Sequence, residues 1–348
     1  MQKPDYYYQK KREYKDKLEE LKQKLPGYVQ PYLNDKELTI QISSVTAYAY
    51  DLVVFFEYLV QENPLCKGLS TQEVPLEVIA SLDYNDINEY QRFLKQSSFH
   101  ESSDKGIARR MAPLRGFYQY QCIHGELQKD PTIGASKQKL KKRDDIVYMD
   151  QQEVNSFLNT VQYTNIRSER QRKFCEKAQY RDTALCILML KTGIRVSECV
   201  GIDLDDLNFT SKCVRIVRKG GFSKVVYFDD MTATALKEYI EYERNPMLPT
   251  DSDEPALFLS NRKTRIGVRA VENIIKKYAA ESVPGKHITP HKLRSSFGSA
   301  LYEQTGDIYL VATALDHQDI NTSARHYAAQ TDKKKVANIN LYGDSDKP

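Results

Sequence analysis

Several residues in the second half of the chain have types and spacings suited to work on a phosphodiester. Arg195 lies in TGIRVSEC (192–199) and Lys219 in VRKGG. His291 and Arg294 lie in TPHKLRSSF (289–297), and His317 and Tyr327 in LDHQDINTSARHYAAQ (315–330). Two arginine forks can hold the non-bridging oxygens of a phosphodiester. They can also stabilise the charge that builds as phosphorus becomes five-coordinate. A tyrosine hydroxyl can attack in line and give a phosphotyrosyl intermediate. A lysine on a flexible hairpin can protonate the departing sugar oxygen. A histidine can accept the tyrosine proton or hydrogen-bond the phosphate. Covalent trapping conserves the bond energy, so rejoining needs no ATP. No GxxxxGK[ST] loop and no carboxylate cluster for Mg²⁺ accompany these residues, so an ATPase is unsupported and no cofactor is expected.

Each residue also has a plainer reading. Tyr327 is one of 24 tyrosines in a chain without tryptophan, and most tyrosines pack. Arg195 is always charged and needs an anion if buried, which Glu198 three residues on can supply as a structural pair. Lys219 can be an ordinary turn lysine. HxxR arises by chance in a chain with 51 lysines and arginines.

The elements that must position these residues are legible in outline. TGIRVSEC follows RDTALCILMLKTG (181–193), a strongly apolar helix stopped by Gly193. CVRIVRKGGFSKVVYF (213–228) is two β-branched, alternating runs around Gly220-Gly221, a hairpin signal with Lys219 at its tip. Thr289 is expected to cap a helix with Pro290 at its first position. His291 and Arg294 then share a face of the first turn, where the macrodipole favours an anion. Asp307 starts a short helix ending near His317, and Asn321 or Thr322 caps another bearing Tyr327. Those helices can place His317 and Tyr327 around a common point. Further helices are expected at 149–161, capped by Asp150, and at 232–243 and 268–281. The first ~130 residues read as all-helical, with helices at 6–25, 43–61 (capped by Ser43 or Ser44), 82–96 and 102–125.

Between the halves, PTIGASKQKLKKRDDI (131–146) lacks periodicity and reads as a linker. Its KQKLKKR run (137–143) places five basic residues in seven, either solvated surface or a phosphate contact. Net charge is +4, which decides little. Apolar residues are 41% and charged residues 28%, as in soluble globular proteins. No apolar run approaches the ~18–20 residues of a membrane span, and the first residues lack the apolar core of a signal peptide. A cytoplasmic location is expected. The cysteines form no CxxC pair and no zinc spacing, so free thiols and no metal site are expected.

In this order the motifs resemble those of the tyrosine recombinase (phage integrase) family. TGIRVSEC resembles TGLRxSEL, and RKGGFSKVVYF resembles GKGxKxRxVPL. TPHKLRSSFGSAL resembles TPHxLRHxFAT, and LDHQDINTSARHYA resembles LGHSSIxTTxxYxH. The resemblance covers roughly 147–330 and extends more loosely over SVTAYAYDLVVFFEYL and GIARRMAPLRGFYQY. It implies a mainly α fold with a small β-sheet: a helical, SAM-like core-binding domain (1–130), the basic linker (131–146), a mixed α/β catalytic domain (147–330) and a tail (331–348), forming a C-shaped clamp on double-stranded DNA. It gives catalytic roles to Arg195, Lys219, His291, Arg294, His317 and Tyr327, with Glu198 as their acidic support. Lys224, on the same hairpin, could substitute for Lys219. It implies DNA contacts from Lys137, Lys139, Lys141, Lys142 and Arg143, and from Arg109, Arg110 and Arg115. Arg109 and Arg110 are adjacent, so they are not expected to share a helix face.

Two departures stand out. The glycine of LGH is Asp316, and the histidine after HxLR is Ser295, which is not counted as a site. His326 reads as a bystander or as DNA-facing. The tail TDKKKVANINLYG is expected to dock onto a neighbouring subunit in a tetramer on two DNA sites. The expected activity is site-specific recombination for a mobile element, with no large arm-binding module ahead of the core-binding half. Xer-type chromosome-dimer resolution, an inactive DNA-binding protein and a lone type IB topoisomerase are the competing readings.

Overall fold

The apolar stretch ISSVTAYAYDLVVFFEYLVQE forms a single helix, α3 (Ile42–Glu62), because apolar side chains recur on most of its circumference. The structure is a computed structural model. It describes residues 6–96, 103–139, 147–163, 178–218, 220–250, 252–316, 320, 324 and 327. The chain divides into two compact units, Met1–Lys142 and Arg143–Pro348.

In the first unit α3 is the central element. Around it lie α1 (Tyr6–Lys22), α2 (Gln30–Thr39), α4 (Leu76–Ser81), α5 (Tyr84–Gln96) and α6 (Asp104–Ile123). Leu52, Phe55, Phe56 and Leu59 of α3 are buried against Leu18, Tyr90, Leu114 and Phe117. Each such side chain contributes about 1.5–3 kcal/mol by leaving water. The expected caps of α3 are corrected. Its N-cap is Gln41, with no side-chain cap bond, so Ser43 and Ser44 lie inside the first turn. The short helices α2 and α4 are not legible as periodic runs, because each is barely long enough to show a face.

Residues 131–139, expected to begin the linker, pack on α5 instead. Thr132 and Ala135 are buried. The Ser136 amide donates to Asn88 Oδ1 (2.8 Å), and Gln91 Nε2 donates to the Ser136 carbonyl (3.1 Å). Side chains of a helix already formed satisfy this aperiodic backbone, which periodicity alone cannot reveal.

In the second unit α7 (Gln151–Gln162) starts at Asp150. That carboxylate accepts from the Glu153 amide, and Glu153 accepts in return from the Asp150 amide. The buried α8 (Gln179–Thr192) packs against α7, α10 (Asp230–Tyr239) and α12 (Pro290–Thr305). A short α9 (Val196–Val200) follows α8, and α11 (Val268–Ser282) packs against α7. The antiparallel sheet has three strands: β1 (Leu207–Asn208), β2 (Cys213–Val217) and β3 (Ser223–Tyr227). β1 goes beyond the expected hairpin, and two residues are too few to carry an alternation. β2 and β3 pair in the register Val214↔Val226 and Ile216↔Lys224. The last described helix is α13 (Ile308–Leu315), capped by Asp307, whose carboxylate accepts from the Tyr309 and Leu310 amides.

Among the described residues no helix is long and apolar enough to cross a membrane. Cys66, Cys122, Cys186, Cys199 and Cys213 are free thiols. The fold is therefore mainly helical with a small antiparallel sheet.

Candidate active site

α8 must stop abruptly, and Gly193 makes that possible. Its φ of 63° is left-handed, and a Cβ there would collide with Phe297. The chain then turns so that Arg195 stands at the N-cap of α9. Glu198 fixes it from within that helix. One carboxylate oxygen accepts from the Arg195 amide (2.8 Å) and the other from Arg195 Nη1 (2.9 Å). The Glu198 side chain is 2% exposed and that of Arg195 is 35% exposed. The carboxylate is thus a buried foundation, and the guanidinium above it keeps a solvent face.

Arg294 enters from the first turns of α12 and is buried. Its Nη1 donates to the Gly193 carbonyl (2.5 Å) and its Nη2 to the Leu315 carbonyl. Burial, then Arg195, pulls the guanidinium down to about 10, with Glu198 opposing, so it remains cationic at neutral pH. Thr289 occupies the N-cap of α12 without the side-chain cap bond expected of it.

The C-terminal carbonyls of α13, orphaned as at any helix end, are capped by cations. Lys224 Nζ donates to Thr313 O (2.8 Å), Arg294 to Leu315 O, and Arg195 Nη2 to Asp316 O at the long distance of 3.5 Å. Asp316 is left-handed, with φ 51°, which explains why a glycine suits this position. Its Oδ2 lies 4.0 Å from Arg195 Nη1 and 3.9 Å from Arg218 Nε.

Arg218 is a residue that motif reasoning passed over. It is 5% exposed, and its Nη1 lies 3.3 and 3.4 Å from the two Glu198 oxygens. The signal was present in CVRIVR: period-two alternation puts residue 218 on the face of buried Val214 and Ile216, opposite exposed Arg215. Lys224, opposite Ile216, belongs to that same inward face. Burial, then the Arg218 charge, pulls its ammonium below the ordinary lysine value, with Asp316 opposing and Arg294 adding to the pull.

Tyr327 is 5% exposed and packs with Tyr302, Val311 and Leu315. Gly298 lets its ring lie close against α12: a Cβ there would stand 2.7 Å from Tyr327 Cζ. Burial raises the phenol above its ordinary 10, while Arg294 and a hydrogen bond shared with the Ser295 hydroxyl oppose that rise. Ser295, set aside in the sequence, is therefore at the site, and its Oγ also donates to the His291 carbonyl (3.0 Å). The His291 imidazole lies below its ordinary value through partial burial, then through Lys292, Arg294 and Arg195.

The structure brings Arg195, Glu198, His291, Arg294 and Tyr327 together. Lys219 and His317 lie outside the described residues, as do Lys141, Lys142 and Arg143. Lys137 and Lys139 are exposed. Arg109 and Arg110, with side chains 56% and 14% exposed, both reach one carboxylate although they are adjacent. Arg109 holds buried Asp51 with two bonds (2.7 and 3.0 Å), and Arg110 Nη1 lies 3.7 Å from the same carboxylate. Both side chains are long enough to converge across the ~100° between adjacent positions. Arg115 is half-buried, and among the described residues its Nε has no hydrogen-bond partner.

Residues 147–334 match the family described as the phage integrase family. The tyrosine recombinase XerD of Staphylococcus epidermidis is 29% identical over 85% of this chain and 91% of its own length. The tyrosine recombinase XerS of Lactococcus lactis subsp. lactis is 28% identical over 93% of this chain and 98% of its own. Among solved structures, the Tn1549 transposon integrase in complex with transposon right end DNA has a TM-score of 0.62 at 17% identity, covering 89% of this chain and 99% of that one. The XerH site-specific recombinase bound to palindromic difH substrate has a TM-score of 0.61 at 18% identity, covering 85% and 79%. The chain belongs to the phage integrase family and is a tyrosine recombinase, a site-specific DNA strand-transfer enzyme.

Proposed function

We propose that this enzyme cuts and rejoins double-stranded DNA through a 3′-phosphotyrosyl intermediate formed on Tyr327. The observation that carries this reading is the convergence of Arg195 and His291 on Arg294, whose charge acts on the Tyr327 phenol, with the buried Glu198 carboxylate beneath Arg195. The phenol oxygen attacks phosphorus as the bond to the 5′ sugar oxygen breaks. His291, held neutral, accepts the phenol proton. The arginines balance the charge on the five-coordinate phosphorus. Lys219 is assigned the proton for the departing 5′ oxygen, and His317 a hydrogen bond to the phosphate. Rejoining reverses the step on a new 5′ hydroxyl.

A nicked suicide duplex carrying the recombination site tests this assignment. Wild type should accumulate a covalent adduct, and Arg195→Ala and Arg294→Ala should each lose about 10²-fold or more in its rate. An adduct forming at wild-type rate in either variant would refute the clamp.

We assign Lys137 and Lys139, with Lys141, Lys142 and Arg143, to contact with DNA phosphates. The working assembly is a tetramer on two sites in a bacterial cytoplasm, held by residues after 331. Removing those residues should leave DNA binding intact and abolish tetramers, and recombination unchanged by the truncation would refute their role. Integration or excision of a mobile element is the first biological reading. Chromosome-dimer resolution is the second, favoured by the length over which XerS matches. Deleting the gene separates them. The first predicts loss of an excised circle, and the second predicts accumulation of dimeric chromosomes.

A further inference from the structure

Two charged side chains at the site take no part in the chemistry above. Arg218 and Asp316 both stand where the resembling motifs, GKGxKxR and LGHSS, have glycine. The Asp316 carboxylate hangs between two guanidiniums, with Oδ2 3.9 Å from Arg218 Nε and 4.0 Å from Arg195 Nη1. Arg195 is the partly exposed one, and its open face is the one a phosphate must use. A carboxylate at that distance offers the charge and the paired acceptors of a phosphate and competes for the same fork. Neither contact is closed to hydrogen-bonding distance. Among the described residues Arg218 Nε has no hydrogen-bond partner, so its pull on Asp316 is the unspent one. The Nη1 of that guanidinium is anchored by buried Glu198. Arg218 is therefore fixed through Nη1 by Glu198 while its Nε stands as near to the Asp316 carboxylate as Arg195 does. Lys224, the other cation of this inward face, is committed to the Thr313 carbonyl.

We propose that Arg218 is a positioning residue for the recombination chemistry: it holds the Asp316 carboxylate off Arg195, so that Arg195 stays open to the scissile phosphate. This rests on the phosphate-binding role of Arg195 given above and deepens it. Without Arg218, Arg195 is the cation left in an ion pair with Asp316 among the described residues; the carboxylate closes on it, and an incoming phosphate must displace that pair.

The test is single-turnover adduct formation by the full chain on the nicked duplex described above. Arg218→Met should slow it about 10–100-fold. Asp316→Asn, which tolerates the left-handed backbone but carries no charge, should leave the rate unchanged or raise it. The double variant should return to within about 3-fold of wild type. A double variant as slow as Arg218→Met overturns the proposal, since a merely structural arginine is not rescued by removing a carboxylate. A second comparison keeps Arg218 in place and serves if Arg218→Met does not fold. Asp316→Glu is one methylene longer and can close the 4.0 Å gap to Arg195, whereas Asp316→Gln has the same length and backbone strain without the charge. The glutamate variant should be about 10-fold slower than the glutamine variant. Equal rates overturn the proposal. Wild type that forms no adduct sinks the tyrosine-cleavage reading and this inference with it, whereas a wild-type adduct without rescue sinks only the role of Arg218.

Discussion

Arg294 donates from Nη1 to the carbonyl of Gly193 at 2.5 Å, which ties the helix carrying HKLR to the turn carrying Arg195. The turn exists because residue 193 is left-handed and has no side chain to meet Phe297. Gly193→Ala adds about 1–2 kcal/mol of backbone strain and a collision in a packed interior. It should lower the melting temperature and slow adduct formation by moving Arg195 and Arg294 apart. Calorimetry and single-turnover cleavage check both effects.

His291 should give cleavage its acid limb. Burial and the cations Lys292, Arg294 and Arg195 hold its imidazole below the ordinary 6.5. A ring that must be neutral to accept a proton is fully competent above that ordinary value, and activity falls only as pH drops through the lowered one. Adduct rates measured from about pH 5 to about pH 8 should show this limb in wild type and lose it in His291→Gln.

Glu243 should make stability depend on pH in the opposite sense to most carboxylates. Burial pushes it from an ordinary 4.5 up to about 7, although the Arg181 amide donates to it, and among the described residues its Oε1 has no hydrogen-bond partner. A folded value above the unfolded one gives a contribution that is full below about 4.5 and lost as pH rises through about 7. Glu243→Gln should therefore gain on wild type by about 1–3 kcal/mol between pH 5 and pH 8. Urea unfolding of both proteins at the two pH values measures it.

Arg109 should matter for folding more than for DNA. It holds the buried Asp51 carboxylate with two bonds, and Arg110 lies too far away to replace it without moving. Arg109→Ala should destabilise the first unit by about 1–3 kcal/mol. Replacing Lys137 and Lys139 should leave the melt unchanged and reduce the slope of log affinity against log salt by about 1 for each lysine that contacts phosphate. Melts and binding isotherms at several salt concentrations separate the two roles.

How much was legible depended on how local the cause was. Gly193, Asp150 and Asp307 announce their turns and caps because the physics lies within a few residues of each. The hairpin was legible from alternation and a Gly-Gly pair, and the same alternation marked Arg218 as inward-facing. The ordered motifs pointed to Arg195, Glu198, His291, Arg294 and Tyr327, which the fold brings together from α9, α12 and the residues beyond α13. Ser295 could not be found that way, because its partnership with Tyr327 is made across the fold between residues whose spacing carries no periodic signal. Nor could the shared hold of Arg109 and Arg110 on Asp51, since side-chain reach overrides helical phase. The packing of 131–139 on α5 was hidden for the same reason: its bonds go to Asn88 and Gln91, far away in sequence.

The central claim is that Tyr327, and no other tyrosine, becomes bonded to DNA. The direct measurement is peptide mapping of the covalent adduct on the nicked duplex, run on wild type and on Tyr327→Phe. The account predicts a phosphotyrosyl peptide containing Tyr327 in wild type, no adduct in Tyr327→Phe, and DNA affinity retained in both. An adduct that persists in Tyr327→Phe, mapped to another tyrosine such as Tyr342, would contradict it.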